Sequence, residues 1–205
     1  MQYHLGWLDA SLQPARAPTG KRVRPMLCLL ACLAAGGDPQ QALPAASSLE
    51  LVHNFSLIHD DIEDNSAMRR HRQTVWTLWG EPQAINAGDG MLALAYLTMG
   101  RLLCVGVTPE LAMRAQQALQ ETCLTLTEGQ FLDMSFETRF DLDQDDYLWM
   151  IRDKTAALLA TCARIGGVLA GADNGTIAAL REYGDSLGMS FQIEDDVLGI
   201  WGNEA

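Results

Sequence analysis

Lysine is almost missing from this chain: among 205 residues only Lys21 and Lys154 occur. A soluble surface normally uses lysine freely, so the two that remain are candidates for specific roles. The five cysteines, Cys28, Cys32, Cys104, Cys123 and Cys162, form no CxxC pair, which makes a structural zinc site a poor fit. Four of them sit in apolar segments and read as small buried hydrophobes in a reducing cytoplasm. The start of the chain lacks a basic stretch followed by an apolar one, so no secretory leader is expected. The best apolar run, Met26–Ala35, is too short to cross a bilayer, and no stable membrane insertion is expected. Alternating strand patterns, internal repeats and low-complexity stretches are absent. Basic charge is scarce as well. The net charge of −12 argues against a nonspecific nucleic-acid binder. An anionic substrate stays open, because local charge matters more than the sum.

What is present is apolar sequence with a helical period. Hydrophobic residues make up 48% of the chain, enough for one sizeable core, and residues 1–205 read as one all-α domain. Residues 1–19 are irregular and hold Pro14 and Pro18. Pro25 suits the first turn of a helix that Gly36-Gly37-Asp38-Pro39 ends near Ala35. A second helix runs from about Ala42 into the acidic run at Asp60, and residues 66–81 read as a polar loop in which Trp76 and Trp79 are packing anchors. Further helices are expected at Pro82–Leu103, Pro109–Phe136, from the acidic stretch Asp141–Asp146 to about Gly171, and from Asn174 to Gly199. Only six residues follow the last of these, so a longer protein with further C-terminal helices is expected.

Two acidic clusters interrupt this apolar pattern: Asp60-Asp61-Ile62-Glu63-Asp64 and Asp195-Asp196. Buried carboxylates need partners, and magnesium, a hard cation with oxygen ligands, leaves room for substrate phosphates. Asp60 and Asp64 share a helical face, whereas Asp61 lies about 100° round the helix. Alone, either cluster also fits a solvated acidic helix end, although the macrodipole opposes acids at a helix C-terminus. Gln192 is one turn before Asp195 and Asp196, so all three can border one pocket.

The cations are grouped too. Gly20-Lys21-Arg22-Val23-Arg24-Pro25 crowds positive charge at a helix start, where the macrodipole disfavours it and where phosphate binds readily. A solvated basic turn is the alternative. Arg69-Arg70-His71-Arg72 follows the first acids, and arginine forks suit bidentate phosphate contact. Pairing with those same aspartates would also explain them. Lys154-Thr155 lies in an apolar helix, where a lysine either snorkels to the surface or meets an anion. His53, on the same helix about a turn and a half before the aspartates, reads first as a satisfied core histidine.

Taken in order, these motifs resemble the trans-prenyl diphosphate synthases of the polyprenyl synthetase family. The resemblance rests on Gly20–Pro25, His59–Asp64 with Arg69-Arg70, Glu128-Gly129-Gln130 with Asp133, Lys154-Thr155, and Phe191-Gln192 with Asp195-Asp196. It implies an isoprenoid synthase-type helical bundle with a central cavity, a homodimer, and three Mg²⁺ ions with substrate bound. Asp60 and Asp64 would hold two ions and Asp195 a third, with Asp61 and Asp196 supporting them through water or hydrogen bonds. Arg69, Lys154 and Gln192 would contact an allylic diphosphate, and Thr155 with the Lys154 carbonyl would face the developing carbocation. Lys21, Arg24, His53 and Arg70 would bind isopentenyl diphosphate.

No catalytic dyad or triad is apparent, which suits a reaction in which the released diphosphate takes the proton. Gly199 stands where a full second motif has its third aspartate. Ser56, one turn below Asp60, offers little obstruction, while Phe55 beside it is bulky enough to floor the pocket. This pattern resembles microbial geranylgeranyl diphosphate synthases, with farnesyl diphosphate as the alternative product. Two other classes are weighed. A regulatory subunit of a heteromeric synthase usually loses the aspartate motif, which this chain keeps. A class I terpene cyclase needs no isopentenyl site, so Lys21, Arg24 and Arg70 argue against it.

Overall fold

The computed structural model describes residues 1–18 and 20–202. Eight α-helices are present among them: α1 (Val23–Ala34), α2 (Pro39–Glu63), α3 (Val75–Trp79), α4 (Glu81–Gly100), α5 (Pro109–Phe136), α6 (Gln144–Ile151), α7 (Ala157–Leu169) and α8 (Asn174–Trp201). Local chemistry sets most of the boundaries. Thr108 caps α5 by accepting from the Leu111 N–H, and Asp143 and Asp146 form a reciprocal capping box at the start of α6. Asp173 caps α8 by accepting from the Thr176 N–H at 3.0 Å.

Four segments differ from the sequence reading. The pair Asp38-Pro39, read as the end of one helix, opens the next: the Asp38 carboxylate accepts from Gln40 N–H at 2.9 Å and Pro39 takes the first position, so α2 starts three residues before Ala42. The loop at 66–81 contains α3 and a small hairpin, in which β1 (Met68–Arg69) pairs antiparallel with β2 (Arg72–Gln73). Strands of two residues are too short to show an alternation. Arg70 and His71 turn the hairpin with φ of 52° and 61°, the left-handed pair that matches strand twist, without the glycine or asparagine that usually supplies it. After α4 the chain tightens into a 3-10 turn, Arg101–Val105, closed by Gly106 at φ 86°. The helix expected from 141 to 171 is divided by a π-helical turn, Arg152–Ala156, between α6 and α7.

Helix α2 is central, with α4 along one side and α1 along another, while α7 packs between α1, α5 and α8. The core between them is built from Leu49, Val52 and Ile58 of α2, Met91 and Met99 of α4, Leu119 of α5 and Ile165 of α7. The buried Ser48 hydroxyl donates to the Ala95 carbonyl at 2.8 Å and ties α2 to α4. All five cysteines are free, and Cys28, Cys32, Cys123 and Cys162 are buried while Cys104 is exposed. The segment α4 with its 3-10 turn, Glu81–Val105, is long and apolar enough to cross a bilayer by length and composition, which the shorter run at Met26–Ala35 is not.

The N-terminal segment is irregular and straps over the hairpin. The Tyr3 hydroxyl donates to the Gln73 carbonyl at 2.8 Å, and the Arg72 guanidinium sits 4.0 Å above the Tyr3 ring centre while donating to the carbonyls of Tyr3 and Leu8. Trp79 meets the same ring edge-on, and the Trp76 indole donates to the Ser66 carbonyl at 2.9 Å, so both tryptophans are anchors.

Small residues let α8 press onto α7. A Cβ on Gly184 would stand 2.6 Å from the Leu159 carbonyl oxygen and 2.8 Å from Ala160 Cα. Gly184→Ala is therefore expected to lower stability by about 1–3 kcal/mol through overpacking, read as a shift in the urea midpoint. An unchanged midpoint would mean that the two helices are not in fixed contact there.

Candidate active site

Helices α1, α2, α5, α7 and α8, strand β1 and the π turn border a cavity of about 360 Å³. Its walls explain the apolar residues of the acidic helix: Phe55 faces it from α2, opposite Leu126 of α5 and Leu158 of α7. Phe55 is 8% exposed and stands edge-on to His59, and the Ser56 hydroxyl turns back onto its own helix to donate to the His53 carbonyl. Ten of the residues singled out in the sequence border this space: Arg24, His53, Phe55, Ser56, Asp60, Arg69, Lys154, Thr155, Gln192 and Asp195.

The two acidic clusters meet across it. Asp60 and Glu63 of α2 and Asp195 of α8 line the same cavity. Burial pushes the Asp60 carboxyl up to about 6, with Lys154 opposing the rise and the charges of Glu63 and Asp64 adding to it. Glu63 was given no role in the sequence reading, which favoured Asp64. Helix α2 ends at Glu63, and Asp64 is its exposed cap residue outside the cavity lining, although its charge is felt by Asp60 and Lys154.

The second member of each acid pair turns away. Asp61 is 1% exposed and accepts from Arg69 Nε at 2.5 Å. Burial pushes its carboxyl up against the pull of Arg69. Asp196 accepts from the Gln192 side-chain amide at 2.8 Å and from the Tyr147 hydroxyl at 2.6 Å. Burial and the Asp196 charge push the Tyr147 phenol up to about 12.

One end of the cavity is basic. Arg24 Nη1 donates to His53 Nε2 at 3.2 Å, and burial followed by the charges of Arg24 and Arg70 holds His53 far below its usual range, hence neutral. The Arg24 Nε is buried without a partner. Arg70 lies outside this lining, in a smaller adjoining cavity with Asp61, Arg69 and His4. His4 is held down to about 3 by burial and then by Arg70 and Arg69. Lys21 is exposed and borders neither cavity.

The π turn brings Lys154 and Thr155 into the cavity wall, where π-helical turns often carry functional groups. Lys154 donates to the Asp133 carboxylate; burial works against its charge, but Asp133, Asp60 and Asp64 together hold its value up. Gly129 is the reason the two segments can approach, since a Cβ there would fall on the Lys154 backbone. Gln130, one residue on, donates to Glu63 at 2.8 Å across the cavity mouth. The Thr155 hydroxyl donates to Gln192 Oε1 at 2.9 Å. Asp133 and Gln130 were visible only as motif positions, and Tyr147 had no sequence signal, because its partner lies 49 residues away on another helix.

The donors at the rim are suited to a hard cation. Asp60, Glu63 and Asp195 offer oxygens only, which suits magnesium. Among the described residues no three carboxylate, imidazole or thiol groups converge to enclose an ion by themselves. An ion here would take protein oxygens from either rim and the remainder from substrate or water.

Comparison with known proteins agrees with this geometry. The chain is 47% identical over 202 residues to a (2E,6E)-farnesyl diphosphate synthase of Mycobacterium tuberculosis, covering 98% of this chain and 55% of the relative. It is 46% identical over 202 residues to a geranylgeranyl diphosphate synthase of the same organism, covering 98% and 56%. A crystal structure of a polyprenyl synthetase from Streptomyces coelicolor superposes with a TM-score of 0.90 at 44% identity, covering 98% of this chain and 58% of that one. The chain thus spans about half the length of the curated relatives it matches. The all-α bundle is of the isoprenoid synthase type. The family model for polyprenyl synthetase matches residues 6–205, and the chain belongs to that family.

Proposed function

We propose that the protein condenses isopentenyl diphosphate with an allylic prenyl diphosphate, head to tail and trans, to give a short-chain prenyl diphosphate. One observation carries this reading: Asp60 and Asp195, on different helices, line the same cavity as Arg24, His53 and Lys154. A diphosphate needs cations at one end, and its prenyl tail needs apolar walls at the other.

In this reading Asp60 and Asp195 hold Mg²⁺ on the allylic diphosphate, and Asp64 at the α2 cap contributes from the rim. Bound Mg²⁺ would neutralise the departing diphosphate and so favour ionisation of the carbon–oxygen bond. Asp61 and Asp196 act at one remove, by holding Arg69 and Gln192. Arg69 and Lys154 take up diphosphate charge. Thr155 and the Lys154 carbonyl face the allylic cation. Arg24, with the neutral His53, holds isopentenyl diphosphate, joined by Arg70 and Lys21. The isopentenyl double bond attacks the cation, a carbon–carbon bond forms, and a proton leaves to the released diphosphate. No protein base is needed.

Geranylgeranyl diphosphate is the product favoured by Phe55 at the cavity wall with the small Ser56 beside it. Farnesyl diphosphate is the second reading, supported by the relative that bears that name. A homodimer is proposed as well. Leu94, Leu97, Leu103, Val105 and Met113 form exposed apolar surface on and beyond α4, and a second copy would cover it. The free thiols favour a reducing, cytoplasmic setting.

With Mg²⁺, isopentenyl diphosphate and each short allylic starter, the protein is expected to release longer prenyl diphosphates. Asp60→Asn should cut turnover at least a hundredfold and abolish the rise in melting temperature on adding Mg²⁺ with inorganic pyrophosphate. Turnover only with a partner protein present would favour the regulatory-subunit reading, and hydrocarbon release would favour a cyclase. Phe55→Ala is expected to lengthen the product, and an unchanged chain length in radiolabelled extracts would remove Phe55 as the floor. Sedimentation should give a dimer that Leu97→Glu dissociates; a wild-type monomer would reject the proposed interface.

A further inference from the structure

Tyr147 of α6 is outside the cavity lining and outside every motif, yet it ends a continuous run of hydrogen bonds that begins in the cavity. Thr155 Oγ1 donates to Gln192 Oε1 at 2.9 Å, Gln192 Nε2 donates to Asp196 Oδ1 at 2.8 Å, and the Tyr147 hydroxyl donates to Asp196 Oδ2 at 2.6 Å. The run has one possible direction. A carboxylate only accepts, so Gln192 must turn its NH₂ toward Asp196 and its oxygen toward Thr155. Thr155 must then donate, which leaves its oxygen lone pairs for the cavity. If Gln192 turned over, its NH₂ would point at Thr155 and the Thr155 hydrogen would be free to point inward.

We propose that Tyr147 is a positioning residue: by holding Asp196 in place it fixes the Gln192 amide, and through it makes the Thr155 hydroxyl present its oxygen to the cation formed in the cavity. The inference rests on the prenyl-transfer reading. An oxygen dipole aimed at developing positive charge stabilises the transition state more than the bound substrate, so its loss appears in kcat. Arg24 and His53 belong to another end of the cavity, so binding of isopentenyl diphosphate should be untouched.

The test is a double-mutant cycle on the protein with Mg²⁺ and both diphosphates. Tyr147→Phe is expected to lower kcat about tenfold with an unchanged KM for isopentenyl diphosphate. Its melting temperature, and the rise in that temperature with Mg²⁺ and inorganic pyrophosphate, should match wild type. In a Thr155→Val background, where no oxygen remains to aim, Tyr147→Phe should cost nothing more. Wild-type kcat in Tyr147→Phe, or the same loss repeated in the Thr155→Val background, would overturn the inference. If Tyr147→Phe fails to fold, Asp196→Asn carries the same cycle, because its amide lets Gln192 turn over; additive losses again count against the proposal. Absence of turnover in wild type would instead sink the prenyl-transfer reading itself.

Discussion

Carboxylates that share a poorly solvated space cannot all keep their charge unaided. Here the half-buried Asp60 shares a cavity with the more exposed Glu63 and Asp195, and nearby protein cations have carboxylate partners of their own, Arg69 on Asp61 and Lys154 on Asp133. Burial is the main cause of the rise of Asp60 to about 6; the charges of Glu63 and Asp64 add to it, and Lys154 offsets part of it. Much of the surrounding architecture follows from that constraint: oxygen-only ligands at the rim, basic groups where a diphosphate would lie, and hydrocarbon walls beneath.

Both acid pairs answer the problem in the same way. Neighbouring residues on a helix point about 100° apart, so one aspartate of each pair faces the cavity and the next meets the protein. Asp61 secures the arginine hairpin, and Asp196 secures Gln192 and, with it, Thr155. The doubled aspartate thus joins a ligand to its own brace. The support depends on close helix approach, and glycine provides it: Gly129 admits the Lys154 backbone and Gly188 admits Ala156.

Much of this was legible in the sequence, for stated reasons. Helix α5 runs from Pro109 to Phe136 as its proline start and period indicated, and α8 begins at Asn174 behind an aspartate cap. Helical spacing alone separates the face of Asp60 from that of Asp61. Other features left no mark. Asp38-Pro39 serves equally as a stop and a start, and only packing decided. Glu63 lines the cavity while Asp64 caps α2 just outside the lining, a difference of one residue at a helix end that periodicity does not mark. Tyr147 meets Asp196 through tertiary packing, which no local pattern encodes.

The break in the helix at Arg152–Ala156 also leaves little trace, since it contains neither glycine nor proline. Its consequence is one of phase. A π turn holds one more residue than the α-helix around it, so it offsets everything on its far side by a single step. Removing any one residue there would restore regular winding, yet swing one flank about 100° against the other. Either Lys154 would leave Asp133 or α7 would lose its seat against α1 and α8. In this stretch the count of residues matters as much as their identity.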